Sequence, residues 1–123
     1  MGILQALAGV GGSLQVNASN ATKNNSGFIG CGHPGSTNTP GTAVQGGIGT
    51  NTFLWTRVSG TPTYGPWKCS DVTAQNPTWR APGPVCDNAD SATEIWKVVA
   101  TDNANGKIGD TQINVTILWT DLR

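Results

Sequence analysis

Hydrophobic and polar residues alternate most regularly in the middle of the chain, in the stretch TFLWTRVSG at Thr52–Gly60. The side chains of a β-strand point alternately to its two faces. Phe53 and Trp55 therefore fall on one face, and Leu54 falls on the other. Two large rings on one face need a second layer of structure to cover them. The stretch is predicted to be the central strand of a layered β-protein, ending at a Ser-Gly turn.

Two further stretches near the C-terminus, residues 92–101 and 107–119, alternate in the same way. Their apolar faces carry Trp96, Val98 and Ala100 in the first and Ile113, Val115, Ile117 and Trp119 in the second. The intervening residues 102–106, Asp-Asn-Ala-Asn-Gly, end in a glycine that is free to take a positive φ. This pattern predicts a β-hairpin.

Glycine, proline and asparagine divide the rest of the chain into short pieces. We predict strands at 13–19, 42–45, 67–72 and 76–80, a polar turn at 20–27, and a long connection at 27–41 with a short edge strand at 28–31. About seven short strands and no helical period beyond the first turn predict an all-β, two-sheet sandwich. Trp55, Trp79 and Trp96 are expected to meet the Ile113 face in its interior.

The composition favours one domain without a nucleic-acid or membrane role. A chain of 123 residues suits a single core. Its seven acidic and seven basic residues cancel, and no run of Lys or Arg forms a footprint for nucleic acid or anionic lipid. The apolar run Ile3–Val10 is shorter than the roughly 20 residues of a membrane span and lacks the basic flank of a secretory signal.

Residues 1–12, MGILQALAGVGG, predict an arm in front of a domain at residues 13–123. The apolar side chains that would dock it are Ile3, Leu4, Leu7 and Val10, three of them at near-helical spacing. A glycine pair then interrupts the pattern. Two interpretations stay open: a disordered terminus, or an apolar tether that becomes ordered when it binds a partner.

The three cysteines, Cys31, Cys69 and Cys86, leave at least one thiol unpaired if all disulfides are internal. A Cys69–Cys86 disulfide and three reduced thiols are the alternatives. With His33 these residues have the ligand types of a zinc site, but only Cys31 and His33 are close in sequence. A loop histidine is favoured, and we expect no metal and no cofactor. A nucleophilic Cys31–His33 pair is disfavoured because a Gly-rich loop seldom holds such geometry.

The remaining candidate chemistry is also sparse. Carboxylates are scattered over predicted turns and strand ends, where turn chemistry accounts for Asp87 and Asp102, so no enzymatic activity is expected. Tyr64, Trp67 and Trp119 are candidate surface aromatics. They either cover the ends of the sandwich, anchor a subunit interface, where Trp and Tyr are enriched, or stack on a sugar.

The order of elements resembles a known family. The Gly46-Gly47 turn, Phe53-x-Trp55, the WTRVSG ending at Gly60, a short strand at Trp79 and Ala100-Thr101-Asp102 followed by Gly106 are similar to immunoglobulin-like domains of the PKD and bacterial Ig-like type. Such domains are common in virion proteins of tailed bacteriophages. The similarity covers about residues 13–119 and implies an Ig-like sandwich. Val98 stands where many such domains have a core cysteine, so their inter-sheet disulfide is not implied.

The resemblance implies a non-enzymatic structural protein of a tailed phage virion. The expected role is capsid decoration or a tail accessory protein, attached through the N-terminal arm to other virion proteins and present in several symmetry-related copies. It would be assembled in the host cytoplasm and exposed on the outside of the particle. The alternative is a tail-tip or adhesin module that binds host-surface carbohydrate or protein through Tyr64 or Trp67.

Overall fold

The computed structural model describes residues 14–25, 34–60, 67–83 and 90–119. All regular structure in these ranges is β, in nine strands. They are β1 (Gln15–Asn17), β2 (Ala21–Asn25), β3 (Gly35–Ser36), β4 (Ala43–Gln45), β5 (Asn51–Gly60), β6 (Lys68–Cys69), β7 (Trp79–Ala81), β8 (Asp90–Asp102) and β9 (Ile108–Trp119). None of these ranges contains a helix with the length and apolar character of a membrane span.

The largest sheet has four strands in the order β2-β9-β8-β5. The predicted hairpin is confirmed: β8 and β9 pair antiparallel, and the backbone N–H of Gly106 donates to the carbonyl of Asp102 at 2.7 Å. Gly106 takes a φ of 74°, the left-handed conformation that glycine adopts without strain. β5 pairs antiparallel with the other side of β8, so the stretch predicted to be the central strand is an edge strand of this sheet.

The other edge of this sheet is β2, which pairs parallel with β9. The predicted polar turn at residues 20–27 is wrong, because residues 21–25 form this strand. Of the five β2 residues only Ala21 is buried, so the strand has no alternating pattern to reveal it. The Asn25 side chain extends the pairing by donating to the Ser36 carbonyl and accepting from the Ser36 N–H, both at 3.1 Å.

The remaining strands form a three-stranded sheet, β3-β7-β6, and the pair β1-β4. Trp79 of β7 lies against rings of the four-stranded sheet: its centroid is 5.2 Å from that of Trp55 and 5.7 Å from that of Trp96. Ile113 belongs to the same buried cluster, as predicted. The fold is all-β with several sheets and is consistent with a β-sandwich.

The predicted faces are confirmed, whereas several predicted bounds are not. Trp55 is buried and Leu54 is exposed on the opposite face of β5. β6 and β7 are shorter than predicted, and β1 covers only the middle of the predicted first strand. β3 lies inside the predicted long connection, because Gly35 indicates a loop in the sequence. The edge strand expected at 28–31 lies outside the described residues.

Candidate interaction surface

The outward face of the four-stranded sheet carries an apolar stripe. Leu54 of β5 lies opposite Val99 of β8, and Ile108 begins β9 one pleat further along. Ile108, Leu54 and Val58 are 56%, 49% and 47% exposed. With the half-buried Ile95 and Val99 they form what we call the outer patch: Leu54, Val58, Ile95, Val99 and Ile108. Clustered exposed apolar residues on a folded domain mark contact surfaces more often than scattered ones do.

A β-bulge shapes one end of the outer patch. The β5–β8 register shifts between Arg57 and Ser59, and Val58 is the extra residue. A bulge leaves its extra residue unpaired and twists the edge of the sheet. The edge is further covered where the N–H of Trp55 donates to the carbonyl of Val72 at 2.8 Å. The outward side chains, rather than the β5 backbone edge, are therefore the accessible feature.

Polar side chains surround the stripe. Lys97 lies between Ile95 and Val99 on the outward face of β8, and Asp110 lies opposite Val99 on β9. Further along, the hydroxyls of Thr93 and Thr116 share a hydrogen bond of 2.9 Å across the two strands. An apolar centre with a polar rim is the usual composition of a protein–protein contact surface.

On the inward face, Glu94 is a buried carboxylate, 1% exposed. One of its oxygens accepts from Arg57 Nε at 2.6 Å and the other from Trp96 Nε1 at 3.0 Å. The same arginine donates through Nη2 to the carbonyl of Gly60 at 3.0 Å. Gly60 takes a φ of 149°, and a Cβ there would collide with Glu94. The bond from Arg57 therefore holds β8 to the end of β5, the bond from Trp96 fixes the carboxylate within β8, and the glycine is required. The alternation of β8 indicates the burial of Glu94, because it lies two residues before Trp96 and so on the same face.

Asp102, at the opposite end of β8, is also buried. Its carboxylate accepts from the backbone N–H of Ile48 at 2.7 Å and of Ala104 at 2.9 Å. These bonds, that from Ile48 first and a further one from Gly49, together with the charge of Lys107, lower the pKa of Asp102. The role in turn chemistry that the sequence predicted for this residue is confirmed. The carboxylate joins the loop before β5 to the β8–β9 turn.

The third structural carboxylate is exposed Asp71. The Thr73 hydroxyl donates to it at 2.7 Å and the Thr73 backbone N–H at 2.9 Å, and these bonds lower the pKa of Asp71. They form a closed turn directly before residues 74–76. In that segment the Ala74 carbonyl accepts from Trp55 Nε1 at 2.9 Å. The carboxylates at positions 71, 94 and 102 all hold backbone or side-chain donors of the chain itself.

The structure brings few of the predicted site residues together. Trp119 is 2% exposed and buried beside Ile117, which differs from the prediction of a surface ring. Its ring is covered because Gly35 of β3 has no side chain: a Cβ there would come within 2.9 Å of Trp119 Nε1. Trp67 is half-buried and packs against both buried clusters, so part of its ring covers the core.

Cys69, for which the sequence left a disulfide to Cys86 and a reduced thiol as alternatives, is a free, half-buried thiol. Burial, followed by the charge of Asp71, raises the pKa of the thiol against the lowering effect of a backbone hydrogen bond from Asp71. The predicted partner Cys86 lies outside the described residues, as do Cys31, His33 and Tyr64. The arm residues Ile3, Leu4, Leu7 and Val10 also lie outside them. Among the residues that the structure does describe, no three His, Cys, Asp or Glu side chains form a group that could hold a metal ion.

Comparison with family models, with curated proteins and with solved structures finds no match to this chain. The outer patch is the candidate interaction surface that the described residues indicate. Its residues come from three neighbouring strands whose register is fixed by the ladder and by the buried carboxylates at the two ends of the β5–β8 pairing. This arrangement can bind an apolar surface.

Proposed function

We propose that this chain is an Ig-like, non-enzymatic structural module of a tailed phage virion, in the role of capsid decoration or tail accessory protein. It would be attached to neighbouring virion subunits through its N-terminal arm and be present in several copies. The outer patch would supply additional contact with a neighbour. The observation that carries the proposal is this exposed apolar stripe on a sheet whose opposite face is closed by three tryptophans.

Two features of the described residues support a contact role. The large rings predicted for the interior, Trp55, Trp79 and Trp96, are in the core and are not available to a ligand. The order of turn and core residues that resembles phage Ig-like domains also matches the strands found: Phe53 and Trp55 lie on β5, Trp79 on β7, and Asp102 with Gly106 closes the hairpin. The resemblance therefore rests on residues that shape this fold.

The test is incorporation into particles. Particles lacking the chain are supplied with the full chain, with a chain lacking residues 2–12, or with Leu54→Ser/Ile108→Ser, and the copies retained after purification are counted by quantitative mass spectrometry. We expect the deletion to abolish occupancy and the double substitution to lower it. Leu118→Ser is the matched control, since Leu118 is an exposed apolar residue of β9 outside the outer patch. Unchanged occupancy of the deleted chain would refute the proposal.

A further inference from the structure

The outward face of the four-stranded sheet carries one cation and one anion beside the outer patch. Lys97 of β8 lies opposite Gln112 of β9, and Asp110 of β9 lies opposite Val99 of β8, so the two charges lie in neighbouring rows of the sheet. Among the residues that the structure describes, the one ion pair joins other side chains, those of an arginine on β5 and a glutamate on β8. Lys97 and Asp110 can therefore pair with charges of another molecule.

The distribution of charge favours a second copy of the chain as that molecule. The seven acidic and seven basic residues cancel, so two copies carry no net charge that would keep them apart. A face with one charge of each sign is complementary to itself, whereas a strongly acidic or basic partner would meet a like charge on it. In a two-fold contact residue i of one copy meets residue j of the other and the reverse, so a pair between Lys97 and Asp110 would occur twice.

The register of the sheet shows how two copies would fit. The row that contains Lys97 and the row that contains Val99 and Asp110 are two residues apart, which is about 6.7 Å along the strands. A two-fold axis in the plane of contact, directed across the strands and passing between these rows, places each row over the other row of the second copy. Each of β5, β8 and β9 then lies over its own counterpart and runs in the opposite direction.

This arrangement brings the charges within reach of each other. Packed sheets are about 10 Å apart, and Lys97 lies one strand spacing, about 4.8 Å, to the side of Asp110 of the second copy, so their Cα atoms are about 11 Å apart. A lysine on its flexible four-carbon stem and an aspartate can form an ion pair over that distance. By symmetry the contact contains two such pairs.

The same arrangement interleaves the apolar side chains of the two copies. Leu54 of the second copy falls between Leu54 and Val58 of the first, and Val99 of the second copy falls between Val99 and Ile95. Ile108 lies one row beyond Val99, so in the second copy it falls beside Ile95 of the first. Every residue of the outer patch thereby contacts an apolar side chain of the other copy. Face-to-face packing of twisted sheets, with strand directions within about 30° of each other, is also how β-sandwiches are built.

We propose that the outer patch is the interface of a two-fold symmetric dimer of this chain, in which Lys97 of each copy pairs with Asp110 of the other. A contact three strands wide and about 20 Å long buries roughly 400 Å² of each copy, about half of what a standard interface buries. The dimer is therefore weak, with a Kd between about 10 μM and 1 mM. The proposal rests on the proposed contact role of the outer patch and not on the virion role.

The experiment is sedimentation equilibrium of the full chain under reducing conditions, at concentrations from about 10 μM to 1 mM, which cover the expected Kd. Lys97→Asp gives the face two acidic residues and Asp110→Lys gives it two basic ones, so each variant repels its own copy. An equimolar mixture of the two variants restores both ion pairs. Leu54→Ser tests the apolar contact, and Leu118→Ser is the matched control, since Leu118 is exposed on β9 outside the outer patch. Far-UV circular dichroism verifies that each variant is folded.

We expect the unchanged chain to dimerise and each charge variant alone to associate at least about tenfold more weakly, because like charges that face each other disfavour a contact. The mixture should regain the affinity of the unchanged chain. Leu54→Ser should weaken the dimer, whereas Leu118→Ser should not.

A monomer at every concentration would overturn the proposal and leave a different protein as the occupant of the outer patch. A dimer that withstands both charge substitutions would also overturn it, as would weakened variants whose mixture does not recover. Because the measurement uses the free protein, its failure leaves the effect of the arm deletion on particle occupancy unaffected.

Discussion

Two buried tryptophans differ in one respect that a matched substitution can measure. Trp55 and Trp79 are 1% and 0% exposed and their rings are in contact. Trp55 Nε1 donates to the Ala74 carbonyl at 2.9 Å, whereas Trp79 Nε1 is buried without a hydrogen-bond partner among the residues that the structure describes. Replacing each by phenylalanine removes the same atoms, so the cost of the lost volume largely cancels in the comparison. What remains is the difference between a satisfied and an unsatisfied N–H group.

The magnitude follows from that difference. Trp55→Phe loses a hydrogen bond worth about 0.5–1.5 kcal/mol, while Trp79→Phe removes a buried donor whose desolvation costs about 1–3 kcal/mol. Trp79 also contacts Trp96, and such an aromatic pair is worth about 0.5–1.5 kcal/mol, part of which a phenylalanine ring keeps. We therefore expect Trp55→Phe to lower the free energy of unfolding by at least about 1 kcal/mol more than Trp79→Phe does.

The assay is equilibrium unfolding in urea followed by far-UV circular dichroism, which does not depend on the tryptophans that are removed. With a slope of about 1–2 kcal/mol per molar urea, the two midpoints should differ by about 0.5 M or more. A lower midpoint for Trp79→Phe, or equal midpoints with equal slopes, would refute the reasoning. It would mean that the contacts of the Trp79 indole outweigh its unpaired N–H.

Three further changes test the polar contacts and the packing of Leu14 on Gly109. The pKa of Asp102 is lowered from 3.8, so the contribution of its carboxylate to stability is present above that pH and is lost as the pH falls through the folded-state pKa. Asp102→Asn should lower the melting temperature at pH 7, and the difference in melting temperature between the two proteins should close in acid. A difference that stays the same at every pH would contradict this. Arg57→Met should lower the free energy of unfolding by about 1–3 kcal/mol, which is less than the cost of breaking a fully buried ion pair because the Arg57 side chain is 42% exposed. In urea unfolding, the double variant Arg57→Met/Glu94→Gln should regain part of this lost stability. No recovery would argue against the pair. Gly109→Ala should collide with the Leu14 carbonyl and raise hydrogen exchange at Leu14 N–H; unchanged exchange would contradict the close approach.

The long strands could be predicted from the sequence because one of their faces is buried. β5, β8 and β9 each contain a run of apolar inward positions, Phe53 and Trp55, Trp96 to Ala100, and Ile113 to Trp119, and the two-residue period therefore follows directly from burial. The hairpin between β8 and β9 was predictable for a local reason, since Gly106 adopts the conformation that its turn requires.

The short strands could not be predicted, because tertiary contacts form them. β2 buries only Ala21, and its pairing with β9 is reinforced by asparagine side chains: Asn20 accepts from the Asn114 N–H at 2.9 Å, and Asn25 bonds to Ser36. β3 contains Gly35, a residue that signals a loop in sequence but here permits close packing on β9. The same contact covers Trp119, which the alternation of β9 had placed on the face of Ile117.

The outer patch was predictable in part. Alternation places Leu54 on the face opposite Trp55, but whether a second layer covers that face depends on where the remaining strands pack. β3, β6 and β7 all pack on the tryptophan side. Alternation also places Val58 on the face of Leu54, whereas no residue type in the stretch marks the β-bulge at this position.

The position of the outer patch depends on two carboxylates of β8 at the two ends of its pairing with β5. Glu94 and Asp102 lie on the inward face of β8, and each has both oxygens engaged: one set holds Arg57 near the end of β5, the other holds the loop that leads into β5. A slip of one residue between β5 and β8 would turn Leu54 inward and Trp55 outward. Because such a slip would break both sets of bonds at once, the buried polar contacts specify which apolar side chains reach the surface. The inward carboxylates and the outward stripe are thus two consequences of the same register.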